Sequence, residues 1–420
     1  MKIFPFWHLM RKLCRMGLVV VFLSISVQTA VACTAAVISG KVTPDGRPLL
    51  WKNRDTSTDH NCVKYYTGEK YSFVAIVNSS SESPKSTWAG TNSAGFSIMN
   101  TRSYNLKEKA EGESGETRNG VLMRRALEIC FTVEDFKYFL DTISRPRVVE
   151  ANYGVIDAKG GAAIFEVGDV DYVMYDVNDP QTAPQGYLVR TNFSFAGKQN
   201  VGGGYIRYQA ANQLLFAASA TLEITPEWIF NELTRSFVNP MLGINLKDGR
   251  YNKPYTSGWF VEQDFIVRKI STCTVVIQGV KSGEQPELTT MWTVIGYPAV
   301  TPAIPVWVKG AERKLPTLLL RDKETKVSPL CYMALQLRNK VYSYKRGTDS
   351  ERYFNWELLY NANYTGYMQH IYFVEKEVIK KSTALLKAWR ERGNIDVTQT
   401  YVLYDDLDVF ITSKYKELGF

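Results

Sequence analysis

Ala30-Val31-Ala32-Cys33 closes the first apolar run of the chain and decides how everything after it is read. Small residues at Ala30 and Ala32 make the A-x-A pattern that a signal peptidase accepts. Cleavage after Ala32 would leave Cys33 as the first residue of a mature protein, its thiol beside a free α-amino group. Ahead of the motif, Lys2, Arg11, Lys12 and Arg15 supply a positive start. Gly17 to Val27 supply an apolar stretch too short to span a bilayer comfortably. Residues 1–32 therefore read as a removable secretory leader, and the remainder as an exported protein, periplasmic or secreted. The competing reading makes Cys33 a lipid-anchored cysteine of a non-catalytic lipoprotein. Against it, the preceding residues lack leucine and the chain enters a strand at once, without a tether.

Composition narrows the function classes. The leader holds four basic and no acidic residues, so the formal charge of +8 falls to +4 over residues 33–420. That mild excess has no Lys/Arg-rich cluster and argues against a nucleic-acid partner. Apart from Cys14 in the leader, cysteines stand at 33, 62, 130, 273 and 331, and histidines only at 60 and 370. No metal-ligand spacing appears among them, so neither a metal nor a cofactor is expected. Setting Cys33 aside, the other four could form two disulfides in an oxidising compartment, and Cys130 reads equally well as a buried thiol.

Further along, Thr34–Ser39 and a run from Pro48 flank the turn signal Pro44-Asp45-Gly46, predicting a hairpin that returns Asn53-Arg54-Asp55 beside Cys33. More strands are expected at 71–78, on both sides of Asn92–Gly95, at 152–157, 162–167, 171–175, 186–192, 273–278 and 288–295. Helices are expected at 121–131, from Thr132, from near Arg207, from Thr225-Pro226 and over most of 328–394, one of them ending at Gly393. Loops at 56–70, 103–118 and 193–204 would build the pocket. Gly202-Gly-Gly204 lacks the strand–helix setting of a nucleotide loop.

A thiol attacks only as thiolate, so something must take its proton. With two histidines available a Cys–His pair is weakly supported, whereas an N-terminal amine, with an unperturbed pKa of about 7.7–8.0, can serve as the base itself. Cys33-Thr34 followed by Asn53-Arg54-Asp55 resembles the linear amide C–N hydrolases. These N-terminal-nucleophile (Ntn) enzymes include choloylglycine hydrolase, penicillin V acylase, acid ceramidase and the C45 acyltransferases. Asn92-Ser-Ala-Gly-Phe with Asn100, Thr191-Asn192-Phe193 and Tyr205-Ile-Arg207-Tyr208 follow in the family's order.

The resemblance implies an α+β fold: a four-layer αββα sandwich over 33–300, with a mainly helical region over 301–420 packed on the same domain. It implies hydrolysis of a small-molecule N-acyl amide by Cys33. Asp55 would orient the amino terminus, Asn192 and Asn100 would donate to the oxyanion, and Arg207 would hold the acidic network and favour the thiolate. Acyl transfer to an amine in place of water is the alternative. Signal peptidase is the expected maturation partner, and self-association into a homo-oligomer is left open. One departure stands out: bile salt hydrolases carry arginine three residues before the aspartate, where this chain has Lys52, which lacks a planar fork. Arg54 is nearby but, one step from Asp55, points to the other face of the strand.

Overall fold

The computed structural model describes residues 32–107, 117–251 and 257–420; all but the last residue of the expected leader and most of the expected polar loop at 107–118 lie outside them. The main strands are β1 (Cys33–Ile38), β2 (Leu49–Asp55), β3 (Asn61–Tyr66), β4 (Phe73–Asn78), β5 (Ala89–Asn92), β6 (Ser97–Arg102) and β7 (Ala151–Ile156). After them come β8 (Ala162–Val167), β9 (Tyr172–Asp176), β10 (Tyr187–Arg190), β11 (Ser271–Gln278), β12 (Thr290–Ile295) and β13 (Ile304–Val306). One sheet has the order β10-β1-β2-β11-β12-β13; the other is a meander from β3 to β9 in sequence order. Every pairing in both sheets is antiparallel.

Period-two alternation sets the layers. Along β1, Ala35 and Val37 enter a core shared by both sheets, while Ala36 and Ile38 face outward onto a second core. Along β4, Val74 and Ile76 point inward and Phe73 and Ala75 outward onto a third. The third core is closed by helices α1 (Asn119–Ile129) and α2 (Val133–Thr142), and the second by α3 (Tyr205–Thr221). The result is the expected αββα sandwich. Because both faces of each sheet are covered, β1 can be an unbroken apolar run where a half-exposed strand would alternate.

Local chemistry accounts for the element ends. Thr132 and Asp135 form a reciprocal capping box at the start of α2. The chain continues through α4 (Pro329–Val341), α5 (Tyr367–Arg392) and α6 (Val397–Lys416), with Gly393 left-handed at φ 75° just beyond α5. Arg235, fully buried, donates two bonds of 2.7 Å to Glu375 of α5, clamping that helix over the first sheet.

Several local expectations need correction. Residues 56–70 are not all loop, because β3 forms there, buried over its first half and only partly covered afterwards. The proline-rich crossing contains β13, an edge strand, where Pro305 costs no ladder donor on the free side. Thr225 caps a single α-turn that widens into a π-helix over Ile229–Thr234. Between α4 and α5 only short turns of helix remain, at Ser350–Arg352 and Trp356–Leu359, and Tyr353–Asn355 pairs with Trp259–Val261. All five cysteines from Cys33 onward are buried free thiols, so no disulfide forms.

Candidate active site

Three adjacent strand ends build the site. Cys33 opens β1 opposite Arg54 of β2, and Arg54 in turn lies opposite Cys273 of β11. Leu50 faces the core between the sheets, so Lys52 and Arg54, two and four residues on, share its face, while Asp55 faces away. The question posed by Lys52 and Arg54 thus has a double answer. Both line the same cavity as Cys33, about 370 Å³ in volume, together with Trp88, Asn100 and Arg102. No histidine lines it among the described residues; His60 lies beside Asp59, half exposed.

The backbone nitrogen of Cys33 donates to Asn192 Oδ1 at 3.0 Å. Arg207 braces the same corner, donating to the Cys33 carbonyl at 2.7 Å, to Thr34 Oγ1 at 2.9 Å and to Asn192 Oδ1 at 3.0 Å. Asn192 therefore turns its oxygen toward the cysteine nitrogen, and its Nδ2 donates to the Arg102 carbonyl at 2.8 Å. The glycine cluster makes this approach feasible. Gly203 exchanges backbone bonds with Asn192, and Gly204 sits at φ 82°, where a Cβ would strike the Arg207 guanidinium and Thr191.

Asp55 stands one layer back. Its oxygens accept from Arg268 Nε and a terminal nitrogen, at 3.1 and 2.7 Å, and from Ser271 Oγ at 2.6 Å. Asp264 links the halves, accepting from Arg268 at 2.6 Å and from Arg207 at 3.0 Å. A relay of alternating charge thus runs from Asp55 through Arg268, Asp264 and Arg207 to the cysteine carbonyl. In this arrangement the hydrogen bond on the cysteine nitrogen belongs to Asn192, not to Asp55. On the cavity side, Lys52 Nζ donates to Asn100 Oδ1 and to the Trp88 carbonyl, both at 2.8 Å.

Burial dominates the electrostatics. It lowers Lys52 to about 8, against raising contributions from Cys33, Cys273 and Asp55. It also lowers Arg54 and Arg207, the latter further depressed by Arg268. For Arg268 burial works in the same sense, but Asp55 and Asp264 overcome it and raise its pKa. Asn92, by contrast, is architectural. Its Nδ2 donates to the Leu127 and Cys130 carbonyls and its oxygen accepts from Ala94 and Phe96, tying the β5–β6 turn to α1.

Sequence reasoning missed Asp264, Arg268 and Ser271. Asp264 is left-handed at φ 54°, a conformation Asp tolerates better than most residues, in a segment without periodicity. Nothing local marks it or Arg268 as partners of Asp55.

Residues 42–212 match the family model described as acyl-coenzyme A:6-aminopenicillanic acid acyl-transferase, a span that includes Asp55, Asn100, Asn192 and Arg207. That match covers less than half of the 420 residues. Solved structures similar to it include a Caenorhabditis elegans N-acylethanolamine-hydrolyzing acid amidase ortholog. That match has 15% identity, covers 58% of this chain and 92% of that one, and has a TM-score of 0.36. Two others have 12% identity and cover 66% of this chain. A mutant of the conjugated bile acid hydrolase from Clostridium perfringens is covered to 92% with a TM-score of 0.37. Penicillin V acylase from Agrobacterium tumefaciens is covered to 86% with a TM-score of 0.34. No curated protein matches the chain.

Proposed function

We propose that this chain is an exported cysteine Ntn hydrolase that cleaves a linear amide through an acyl-enzyme on Cys33. Removal of residues 1–32 would expose Cys33 as the mature N-terminus. The observation that carries the reading is the fixed cysteine nitrogen, 3.0 Å from Asn192 Oδ1, on a residue whose side chain lines a cavity. Once the bond to Ala32 is gone, the same contact would orient a free amine. That amine takes the thiol proton, the thiolate attacks the carbonyl, and the leaving amine departs with the proton. Water then deacylates the thioester. Lys52 holds the Asn100 oxygen, so the Asn100 N–H groups are directed elsewhere and are the donors it can offer an oxyanion, worth roughly 3–4 kcal/mol each.

Acyl transfer to an amine is the second reading, favoured by the description of the family model. Incubating the mature protein with an N-acyl amide, with and without an added primary amine, separates the two. Free acid as the product in both cases supports the hydrolase; a new amide that displaces the acid supports the transferase. Turnover unchanged in Cys33→Ala would overturn both. A diacylglyceryl group on Cys33 would instead identify a lipoprotein.

A further inference from the structure

We propose that the cavity beside Cys33 is an anion-binding subsite, in which Arg54, seated on Trp88, and Lys52 receive a carboxylate or sulfonate of the substrate. The identification of the bound anion as part of a substrate rests on the amidase reading above; the charge chemistry of the cavity does not.

Arg54 is 4% exposed, and its guanidinium carbon lies 4.4 Å over the Trp88 ring. Its side-chain oxygen partners are both neutral amides, Asn61 Oδ1 at 2.6 Å and Asn78 Oδ1 at 3.1 Å. Asn78 also accepts from Trp88 Nε1 at 2.9 Å, so tryptophan, amide and guanidinium brace one another. Lys52, 2% exposed, likewise donates only to neutral oxygens.

The molecule treats most of its other deeply buried arginines differently. Arg190 has Glu166, Arg207 has Asp264, Arg235 has Glu375 and Arg268 has Asp55. Arg147 is surrounded by backbone carbonyls in place of a carboxylate. Among the described residues, neither Arg54 nor Lys52 has an ion-pair partner, and no Asp or Glu lines their cavity. Beyond neutral amide and carbonyl oxygens these two buried cations face only the thiols of Cys33 and Cys273, with no carboxylate in the cavity, which is costly, and an anion entering the cavity would offset that cost. The planar fork of Arg54 suits a carboxylate, and Lys52 adds a point charge. The cost is confined to the wall that also carries the thiol.

Alkylation of Cys33 tests the subsite without knowledge of the substrate. The rates of Cys33 labelling by iodoacetate and by iodoacetamide are compared by peptide mass spectrometry, and their ratio is set against that of free N-acetylcysteine at the same neutral pH. The proposal expects the ratio to be raised roughly tenfold in the wild-type protein and to fall as salt is added. It should drop in Arg54→Gln and be largely kept in Arg54→Lys. A wild-type ratio no higher than that of N-acetylcysteine overturns the proposal, whether or not the variants fold. Failure of the amidase reading gives a different result: no amide is turned over while the ratio stays high. Given turnover, two pairs locate the anion. N-octanoylglycine cleaved faster than N-octanoylethanolamine puts it on the amine side; glutaryl anilide cleaved faster than pentanoyl anilide puts it on the acyl side. Equal or slower cleavage of both anionic members overturns the substrate assignment.

Discussion

Replacing Lys52 with Met measures what it costs to keep an ammonium between the sheets. The side chain lies in the site cavity, donates to Asn100 and Trp88, and has its pKa lowered by burial from 10.5 to about 8. At about 1.4 kcal/mol per unit, that depression corresponds to about 3 kcal/mol. Between the two values the unfolded chain still holds a proton that the folded chain has released, so this group makes stability rise with pH from about 8 to 10.5. The half-buried Tyr66 and Tyr104 and the buried Tyr187, each raised to about 12 by desolvation, work in the opposite direction above pH 10. They are common to both proteins and cancel in the difference. Urea unfolding of wild type and Lys52→Met, repeated from pH 7 to 10.5, gives that difference directly. Wild type should gain roughly 3 kcal/mol on the variant across the window. A difference that does not change with pH would refute the argument that Lys52 is charged in a desolvated cavity.

Other parts of the structure make separate predictions. Arg235→Met leaves Glu375 buried without its partner and should cost about 3–5 kcal/mol in denaturant unfolding; a loss below about 1 kcal/mol would contradict the clamp. Gly204→Ala forces a Cβ into a left-handed residue, at about 1–2 kcal/mol, and against Arg207, so unfolding should shift and Cys33 alkylation should slow; unchanged values of both would show that the glycine is not needed. Asn92→Ala removes a buried turn amide and should cost about 1–3 kcal/mol while leaving the Cys33 labelling rate of the folded protein as in wild type.

What was legible in the sequence was local. The hairpin that returns Asp55 toward Cys33, the Thr132 cap and the Gly393 stop each depend on residues a few positions apart, and each is present. Covered strands such as β1 also declare themselves, as apolar runs. What stayed hidden depends on distant pairing. Asp264 and Arg268 join the site because their loop precedes β11, the strand beside β2, a neighbourhood set by sheet order and not by spacing. The role of Gly202–Gly204 was equally hidden, since only the Arg207 contact shows why bare backbone is required there. Alternation alone turned Arg54 away from Asp55; that Lys52 and Arg54 share a cavity with Cys33 needed the pairing of β1 with β2.

The most direct test of the central claim is the identity of the residue that carries the acyl group. The full-length chain is expressed with its first 32 residues, and the purified product is mixed with a slowly turned over N-acyl amide, quenched in acid and mapped by mass spectrometry. The account predicts a chain that begins at Cys33, with a free α-amine and a thioester-linked acyl group on that same residue. An acyl group on any other residue, or amide turnover by a chain that still carries Ala32, would contradict it.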